Sequence, residues 1–218
     1  MSNKATRRIE RGELRILVVM RELRSNVAAR KLMLEQEQEG IMTKELAIQL
    51  ADEAGFSHNG IFPTEKLRFL PEVRDMCAAG KCQKYDKCWS CPPGCGTLDD
   101  SREKASQFSW GILLQMTGEM EDDFDVETMM ETEVQLKANL SKFLDLVPEG
   151  EKCLAMSAGA CSICKECTYP DAPCRFPEKM HTSMEAYGLV VSEVCQLADT
   201  PYYYGPCTMT YTCCVLFE

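Results

Sequence analysis

Histidine and long apolar runs are scarce in this chain of 218 residues. Its two histidines, His58 and His181, are too few for a histidine-rich metal site or a Ser-His-Asp triad. The sequence has no P-loop, no G-x-G-x-x-G turn and no G-x-S-x-G nucleophile elbow, which disfavours nucleotide-dependent chemistry. The apolar run at residues 16–20 is far shorter than the roughly 20 residues of a membrane span, and no signal-peptide cleavage pattern follows it. These absences predict a cytoplasmic protein without membrane contact.

Cysteine, by contrast, is abundant, at 14 residues. This frequency is below that of small secreted disulfide scaffolds and far above the ordinary use of cysteine in a protein core. Because the cytoplasm keeps thiols reduced, crowded cysteines in such a protein usually hold metal. The hydrophobic content of 45% is sufficient for one folded domain.

Charge divides the chain into a basic head and an acidic body. Residues 1–31 carry nine Lys or Arg and three Glu, a net charge of +6, and since the whole chain carries −10, the remaining residues carry −16. An acidic body argues against binding to nucleic acid, because affinity for phosphates comes from Lys and Arg. The acidic residues 119–125 lack the ligand spacing of an EF-hand and are interpreted as a solvated loop and helix start.

Residues 1–41 are predicted to be a basic N-terminal extension, helical or disordered. Residues 37–41 can be encoded by a purine-rich stretch just ahead of Met42, as expected when a bacterial ribosome-binding site is translated by mistake. One hypothesis is therefore that Met42 is the natural start and that the extension is an artefact of the gene model. Residues 42–218 are predicted to form a cysteine-rich metal-binding domain.

The pattern of apolar residues predicts an α/β fold, with α+β as the alternative: a small mixed sheet with flanking helices and two cysteine-rich metal-binding loops. Helices are expected between Thr43 and Gly55, from Asp125 to Pro148 and from Ser183 to Asp199. Strands are expected at residues 109–118, 153–157 and 208–217, whereas residues 56–71 are predicted to be irregular. In the second helix, one buried face is predicted to contain Val126, Met129, Met130, Val134, Leu140, Phe143, Leu144 and Val147.

The second cysteine region has the spacing C-x2-C-x2-C-x6-C and consists of Cys161, Cys164, Cys167 and Cys174. Three thiolates, each separated from the next by two intervening residues, can bind three corners of a 4Fe–4S cluster, and a more remote cysteine can bind the fourth corner. A structural zinc site more often uses two separated C-x2-C knuckles, so zinc is the alternative here. Arg175 is placed either to hydrogen-bond near the cluster or to lie on the surface as an ordinary cation.

The first cysteine region contains five thiols within 19 residues: Cys77, Cys82, Cys88, Cys91 and Cys95. Five exceed one four-coordinate site, so either one is a bystander or three thiols hold a cluster with an open iron. We expect Cys77, Cys82 and Cys91 to participate, with Cys88 and Cys95 competing for the last corner. The other cysteines are predicted to be small apolar side chains of the core: Cys153, Cys195, Cys207, Cys213 and Cys214.

These motifs resemble a family of metal-binding proteins of anaerobic bacteria and archaea, classed as domain of unknown function 2284. The resemblance covers roughly residues 56–217. In the first cysteine region, the resemblance depends on C-x4-C-x2-Y starting at Cys77 and on Cys-Pro-Pro starting at Cys91. It also depends on the second cysteine region, which includes Pro-Cys-Arg-Phe-Pro at residues 173–177. The last matching segment is Ser-Met-Glu-Ala-Tyr-Gly at residues 183–188. The resemblance implies cysteine-bound metal, with iron–sulfur expected, in an intracellular protein, and implies no particular reaction. Family members have Gly where this chain has Asp86, and Cys88 and Cys95 are additions to the family pattern.

Two functions remain open from the sequence. The first is a redox protein that carries electrons through one or two 4Fe–4S clusters and needs a redox partner protein. The second is an enzyme in which a three-cysteine cluster with an open iron activates a small-molecule substrate or transfers sulfur. A zinc-stabilised interaction module is a third interpretation.

Overall fold

The computed structural model describes residues 41–79 and 83–218. The predictions for the N-terminal extension lie outside these residues except at Ile41, and so does the prediction for Cys82. In the described residues, five α-helices and a five-stranded mixed sheet form an α+β fold with helices flanking the sheet, which the sequence predicts as the alternative to α/β. In the described part of the chain no helix is long and apolar enough to cross a membrane.

The sheet has the order β1-β2-β5-β3-β4. Adjacent strands are antiparallel except for β3 and β4, which are parallel. The strands are β1 (His58–Pro63), β2 (Trp110–Glu119), β3 (Cys153–Ser157), β4 (Thr182–Ser183) and β5 (Thr208–Phe217). The helices are α1 (Lys44–Ala54), α2 (Pro71–Ala78), α3 (Leu98–Ala105), α4 (Val126–Leu146) and α5 (Val191–Leu197), and a 3-10 turn, Thr64–Lys66, follows β1.

The two long strands β2 and β5 form the centre of the fold and are covered on both faces. Because successive side chains of a strand point to opposite faces, Ile112 and Leu114 pack on one side of the sheet and Leu113 packs on the other. Helices α1 and α4 cover the first face, with Leu140 and Phe143 fully or almost fully buried. The opposite face packs against α5 and the segment before it.

The predicted ends of two helices are confirmed. The Thr43 hydroxyl accepts a hydrogen bond from the Leu46 backbone N–H (3.2 Å), and Gly55 ends α1 at a φ of 94°, a conformation that favours glycine. The Asp125 carboxylate accepts from the Thr128 N–H at 3.0 Å and begins α4. The three predicted strands are also present, as β2, β3 and β5.

The segment predicted to be irregular, residues 56–71, contains strand β1, so that prediction is wrong. Gly60 and Pro63 conceal the strand in the sequence, since both residues are rare in strand interiors. A Cβ atom at Gly60 would lie 2.3 Å from the Ala198 carbonyl oxygen, so glycine is required by the close approach of the chain after α5. Pro63 is tolerated because it lies at the end of an edge strand. Helices α2 and α3 were not predicted.

The helix predicted from Ser183 is also corrected. Ser183 belongs to the short strand β4, and its hydroxyl accepts from the Ala186 N–H (3.2 Å) in a turn rather than at a helix start. Gly188 has a φ of 84°, which interrupts any helix, and α5 begins only at Val191. On α4, the predicted buried face is correct for Leu140 and Phe143 but wrong for Val126, Met130 and Val134, which are exposed.

Candidate metal centre

The second cysteine region forms the loop between β3 and β4. The loop has little regular structure and is stabilised by local hydrogen bonds. The Thr168 hydroxyl donates to the Pro173 carbonyl (2.8 Å), and the Ala172 N–H donates to the Thr168 carbonyl (3.0 Å). The Arg175 guanidinium donates to the Glu166 carbonyl (2.9 Å), so this cation connects the end of the cysteine loop to the residue before Cys167.

All four cysteines of this loop border one small cavity of about 30 Å³. Cys88, from the first region, lines the same cavity. Around these thiols lie Trp89, Ile163, Phe176 and Met180, with Ser90, Thr168 and Arg175 as the polar neighbours. Burial raises the pKa of the Cys161 thiol, and the nearby thiols of Cys174 and Cys164 raise it further. The geometry therefore gathers five thiols from two distant parts of the sequence.

The two cysteine regions are connected by polar contacts. The buried Ser90 hydroxyl accepts a hydrogen bond from the Cys161 backbone N–H (3.0 Å), across 71 positions of sequence. The Trp89 indole N–H donates to the Ala172 carbonyl at 3.0 Å. The Tyr169 hydroxyl donates to the Asp86 carboxylate at 2.6 Å, and its ring packs edge-to-face on Trp89. The loops therefore form one structural unit.

Within the first region, Cys88 and Cys91 are buried neighbours. The Ser90 hydroxyl lies 3.4 Å from the Cys88 sulfur and 4.0 Å from the Cys91 sulfur. A hydrogen bond with the Cys91 thiol lowers the pKa of Cys88 to about 6; Ser90 contributes in the same direction, and burial opposes them. These hydrogen bonds favour the thiolate of Cys88, which is the form of cysteine that binds metals.

Cys95 lies apart from the five-thiol cavity. Its sulfur accepts a hydrogen bond from the Arg74 guanidinium on α2 (3.4 Å), which also donates to the Gly96 carbonyl (2.7 Å). Burial raises the pKa of the Cys95 thiol. Cys95 instead borders a cleft of about 950 Å³ on whose wall Cys174 and His181 also lie.

Cys77 lies in the last turn of α2 and faces a third space. It lines, together with Cys91, a pocket of about 680 Å³ whose opposite wall contains Cys161 and Cys164. The pocket also contains the Lys137–Glu133 ion pair (2.6 Å) and the Tyr85 and Lys84 side chains. Four of the predicted ligands therefore border a space large enough for a small molecule.

Among the described residues, the donor atoms around the small cavity are thiols alone, with no imidazole and no carboxylate on its wall. Within residues 41–79 and 83–218, no three Cys, His, Asp or Glu side chains are arranged to hold an ion. Soft thiolate donors suit iron–sulfur clusters or zinc and do not suit calcium or magnesium. By its donor chemistry the five-thiol set fits a cysteine-bound metal centre.

The remaining cysteines mostly follow the core prediction. Cys195, Cys213 and Cys214 are buried, and Cys153 is half-buried. Cys207 is the exception, because it is exposed in the turn before β5, with a φ of 55°. Cys207 was predicted to lie in a core element, but it precedes the first residue of β5, Thr208.

Two residues that contact the cysteines or their loops were missed in the sequence. Ser90 connects the two cysteine loops and Arg74 holds Cys95. Ser90 lies between Cys88 and Cys91, but nothing in that local pattern identifies a partner 71 residues away. Arg74 carries no sequence signal at all, since its partner is set by how α2 packs.

The comparisons with known proteins agree with the cysteine pattern. A family model described as "Predicted metal-binding protein (DUF2284)" matches residues 60–217. The chain belongs to this family, and the resemblance expected from its motifs is confirmed. No curated protein and no solved structure matches the chain.

Proposed function

We propose that the protein is an iron–sulfur protein of the anaerobic cytoplasm that transfers electrons to or from a redox partner protein. The observation that carries the proposal is the shared cavity of Cys161, Cys164, Cys167, Cys174 and Cys88. In this proposal the four thiols of the β3–β4 loop hold one 4Fe–4S cluster. When bound, such a cluster supplies one-electron redox chemistry.

The spacing of the thiols supports iron–sulfur over zinc. One loop supplies three cysteines, each separated from the next by two intervening residues. A structural zinc site more often takes its four ligands as two separated C-x2-C pairs. Because metal-binding free energy is also folding free energy in such loops, the thiols and the metal are expected to assemble together.

The surroundings of the loop support a redox role. Ile163 and Phe176 beside the cavity are exposed at the surface, and Cys167 is exposed as well. A cluster at this position lies close to the protein surface, where a redox partner can approach it. The apolar side chains around the thiols and the Arg175 cation are the groups that set its reduction potential.

The first region supports a second cluster in the same proposal. Cys77, Cys82 and Cys91 are its expected ligands. Cys88 lies hydrogen-bonded beside Cys91, whereas Cys95 is held by Arg74, so the geometry favours Cys88 over Cys95 as a fourth ligand. Cys88 also borders the cavity of the second set, so the two proposed centres would lie next to each other.

An enzyme is the second candidate, and the pocket of about 680 Å³ favours it. If Cys77, Cys82 and Cys91 hold a cluster without a fourth protein ligand, a substrate in this pocket would lie beside the open iron. The pocket contacts Cys77 and Cys91 and has Lys84, Tyr85 and Lys137 as polar groups. Added cyanide or a small thiolate should then shift the EPR spectrum of the reduced protein.

Anaerobic reconstitution tests the proposal. We expect about four iron and four sulfide per chain for each cluster, with a broad absorption near about 400 nm that dithionite bleaches. Stoichiometric zinc without colour would instead establish the zinc-binding interaction module. Mössbauer spectroscopy of the iron-loaded protein would distinguish a unique open iron from four equivalent thiolate-bound sites.

A further inference from the structure

The exposed face of α4 presents an apolar stripe made of Val126, Met130 and Val134, preceded by Phe124. These side chains are 59%, 63%, 67% and 87% exposed, respectively. Residues four positions apart lie on the same side of a helix, so the three helical members form one continuous strip. Single exposed apolar residues are ordinary, but a contiguous set marks an interaction surface.

The stripe is surrounded by negative charge. Between residues 119 and 133 the chain has eight carboxylates, and it has no Lys or Arg from residue 105 to residue 136. Among the ion pairs of the described residues, only Glu133 of these eight takes part, with Lys137. Glu127 and Glu131, on α4 itself, are exposed. A partner for this surface must therefore offer apolar contacts flanked by positive charge.

A second copy of the chain does not meet this requirement. Pairing the stripe with itself would place Glu127 and Glu131 of one copy close to the same carboxylates of the other. Like charges brought together across an interface are strongly unfavourable. No Lys or Arg lies on α4 between Val126 and Val134, so the same stripe of a second copy offers no positive charge.

The basic head of the same chain does offer apolar contacts flanked by positive charge. Residues 1–31 carry the net charge of +6, and Ile16, Met20, Leu23 and Val27 have the spacing of residues on one face of an amphipathic helix. Arg15, Arg21 and Arg24 flank them in the sequence. The apolar spacing and the charge are both complementary to those of α4.

The attachment point allows the contact. The backbone N–H of the buried Met42 donates to the Glu151 carboxylate (3.1 Å), just after the C-terminal end of α4, and Ile41 is exposed. Val134 lies 12 residues, or about 18 Å, before the end of α4, and the 14 residues 28–41 that precede Met42 extend about 21 Å even when helical. The head is long enough to reach the stripe at the other end of the helix.

We propose that residues 1–40 bind the α4 stripe of their own chain, with the apolar face of residues 16–27 on Val126, Met130 and Val134 and the arginines beside Glu127 and Glu131. The proposal requires residues 1–40 to be present in the natural protein, whereas the other hypothesis makes Met42 the natural start.

Zero-length carbodiimide crosslinking of the full chain tests the contact. At low salt we expect crosslinks from the amines of Lys4 and Lys31 to the carboxylates of residues 119–133, and their loss in Glu127→Lys/Glu131→Lys. The double variant Glu65→Lys/Glu103→Lys changes the net charge equally at exposed positions elsewhere and should retain them. Crosslinks that form only between isotopically different chains, or none to residues 119–133, would overturn the proposal.

Limited trypsin digestion gives a second readout that does not depend on lysine chemistry. In Met130→Gln/Val134→Gln, cleavage after Arg15, Arg21 and Arg24 should become faster by about tenfold, which corresponds to ~1.4 kcal/mol of docking free energy. Glutamine keeps the helix propensity of α4. The matched control Ile48→Gln, at an exposed apolar position of α1, should leave the rate unchanged. Equal cleavage rates in all three proteins, or a native protein that begins at Met42, would contradict the proposal.

Discussion

The Ser90 hydroxyl and the Cys161 backbone N–H form a 3.0 Å hydrogen bond that joins the two cysteine loops. Ser90 is 1% exposed, so water does not replace the bond when it is lost. Ser90 also contacts the sulfurs of Cys88 and Cys91 through the same oxygen. One side chain therefore connects the first cysteine region to the start of the second.

Ser90→Ala should destabilise the protein and loosen the metal centre. A buried N–H left without an acceptor costs about 1–3 kcal/mol, so the free energy of unfolding in urea should fall by about that amount. We also expect faster loss of iron to a chelator. Ser162→Ala, at an exposed position of the same loop, is the control and should change neither quantity. A Ser90→Ala protein with unchanged stability would show that the two loops do not depend on this contact.

If the β3–β4 loop holds the proposed 4Fe–4S cluster, replacing one of its cysteines should remove or convert that cluster. We expect Cys167→Ser, and likewise Cys161→Ser, Cys164→Ser and Cys174→Ser, to lower the iron content after reconstitution and to destabilise the fold. Cys195→Ala should keep its iron and lose only about 1–2 kcal/mol from a small cavity. Unchanged iron in Cys167→Ser would refute the ligand assignment.

The variants Cys88→Ser and Cys95→Ser should differ. Because Cys88 lies beside Cys91 and borders the five-thiol cavity, its replacement should lower the iron content or change the EPR spectrum. The Cys95 sulfur is hydrogen-bonded to Arg74, and replacing Cys95 should leave the iron content and the EPR spectrum unchanged. If both variants retain full iron and an unchanged spectrum, the first cluster has no fourth protein thiolate and the enzyme becomes the favoured function.

Alkaline pH should destabilise the protein partly through Cys195. Burial raises the pKa of Cys195 from 9.0 to about 11, against the hydrogen bond from the Gln115 amide. Above pH ~9 the unfolded chain loses this proton and the folded chain keeps it, so the free energy of unfolding falls as pH rises from about 9 to about 11. In Cys195→Ala this decline should be smaller by on the order of 1 kcal/mol. Parallel urea titrations at pH 8 and pH 10.5 measure the difference.

Local patterns in the sequence predicted the parts of the fold that are held by local chemistry. The caps at Thr43 and Asp125 and the apolar strands β2 and β5 are visible within short windows, and the structure confirms them. Strand β1 was missed because Gly60 serves a contact with residue 198, which no local window contains. The helix expected at Ser183 failed for the same reason, since that serine pairs in the sheet beside β3.

The candidate site was also predictable only where its residues lie close together in the sequence. The spacing of Cys161, Cys164 and Cys167 predicts a ligand loop from the sequence alone, and the structure places these thiols around one cavity. The choice between Cys88 and Cys95 could not be made from spacing, because it depends on Arg74 and on the packing of one loop against the other. The apolar positions of α4 were assigned to the core because periodicity shows which residues share a face, but not whether another element covers it.

The position of β5 has a consequence for biosynthesis. This strand lies between β2 and β3, yet it is made of residues 208–217. During translation both cysteine loops leave the ribosome well before the strand that joins the two halves of the sheet. Domains generally fold as units, and the thiols therefore spend that interval without the scaffold that gathers them. A metal bound by these thiols should therefore be retained only once β5 has left the ribosome and paired with β2 and β3.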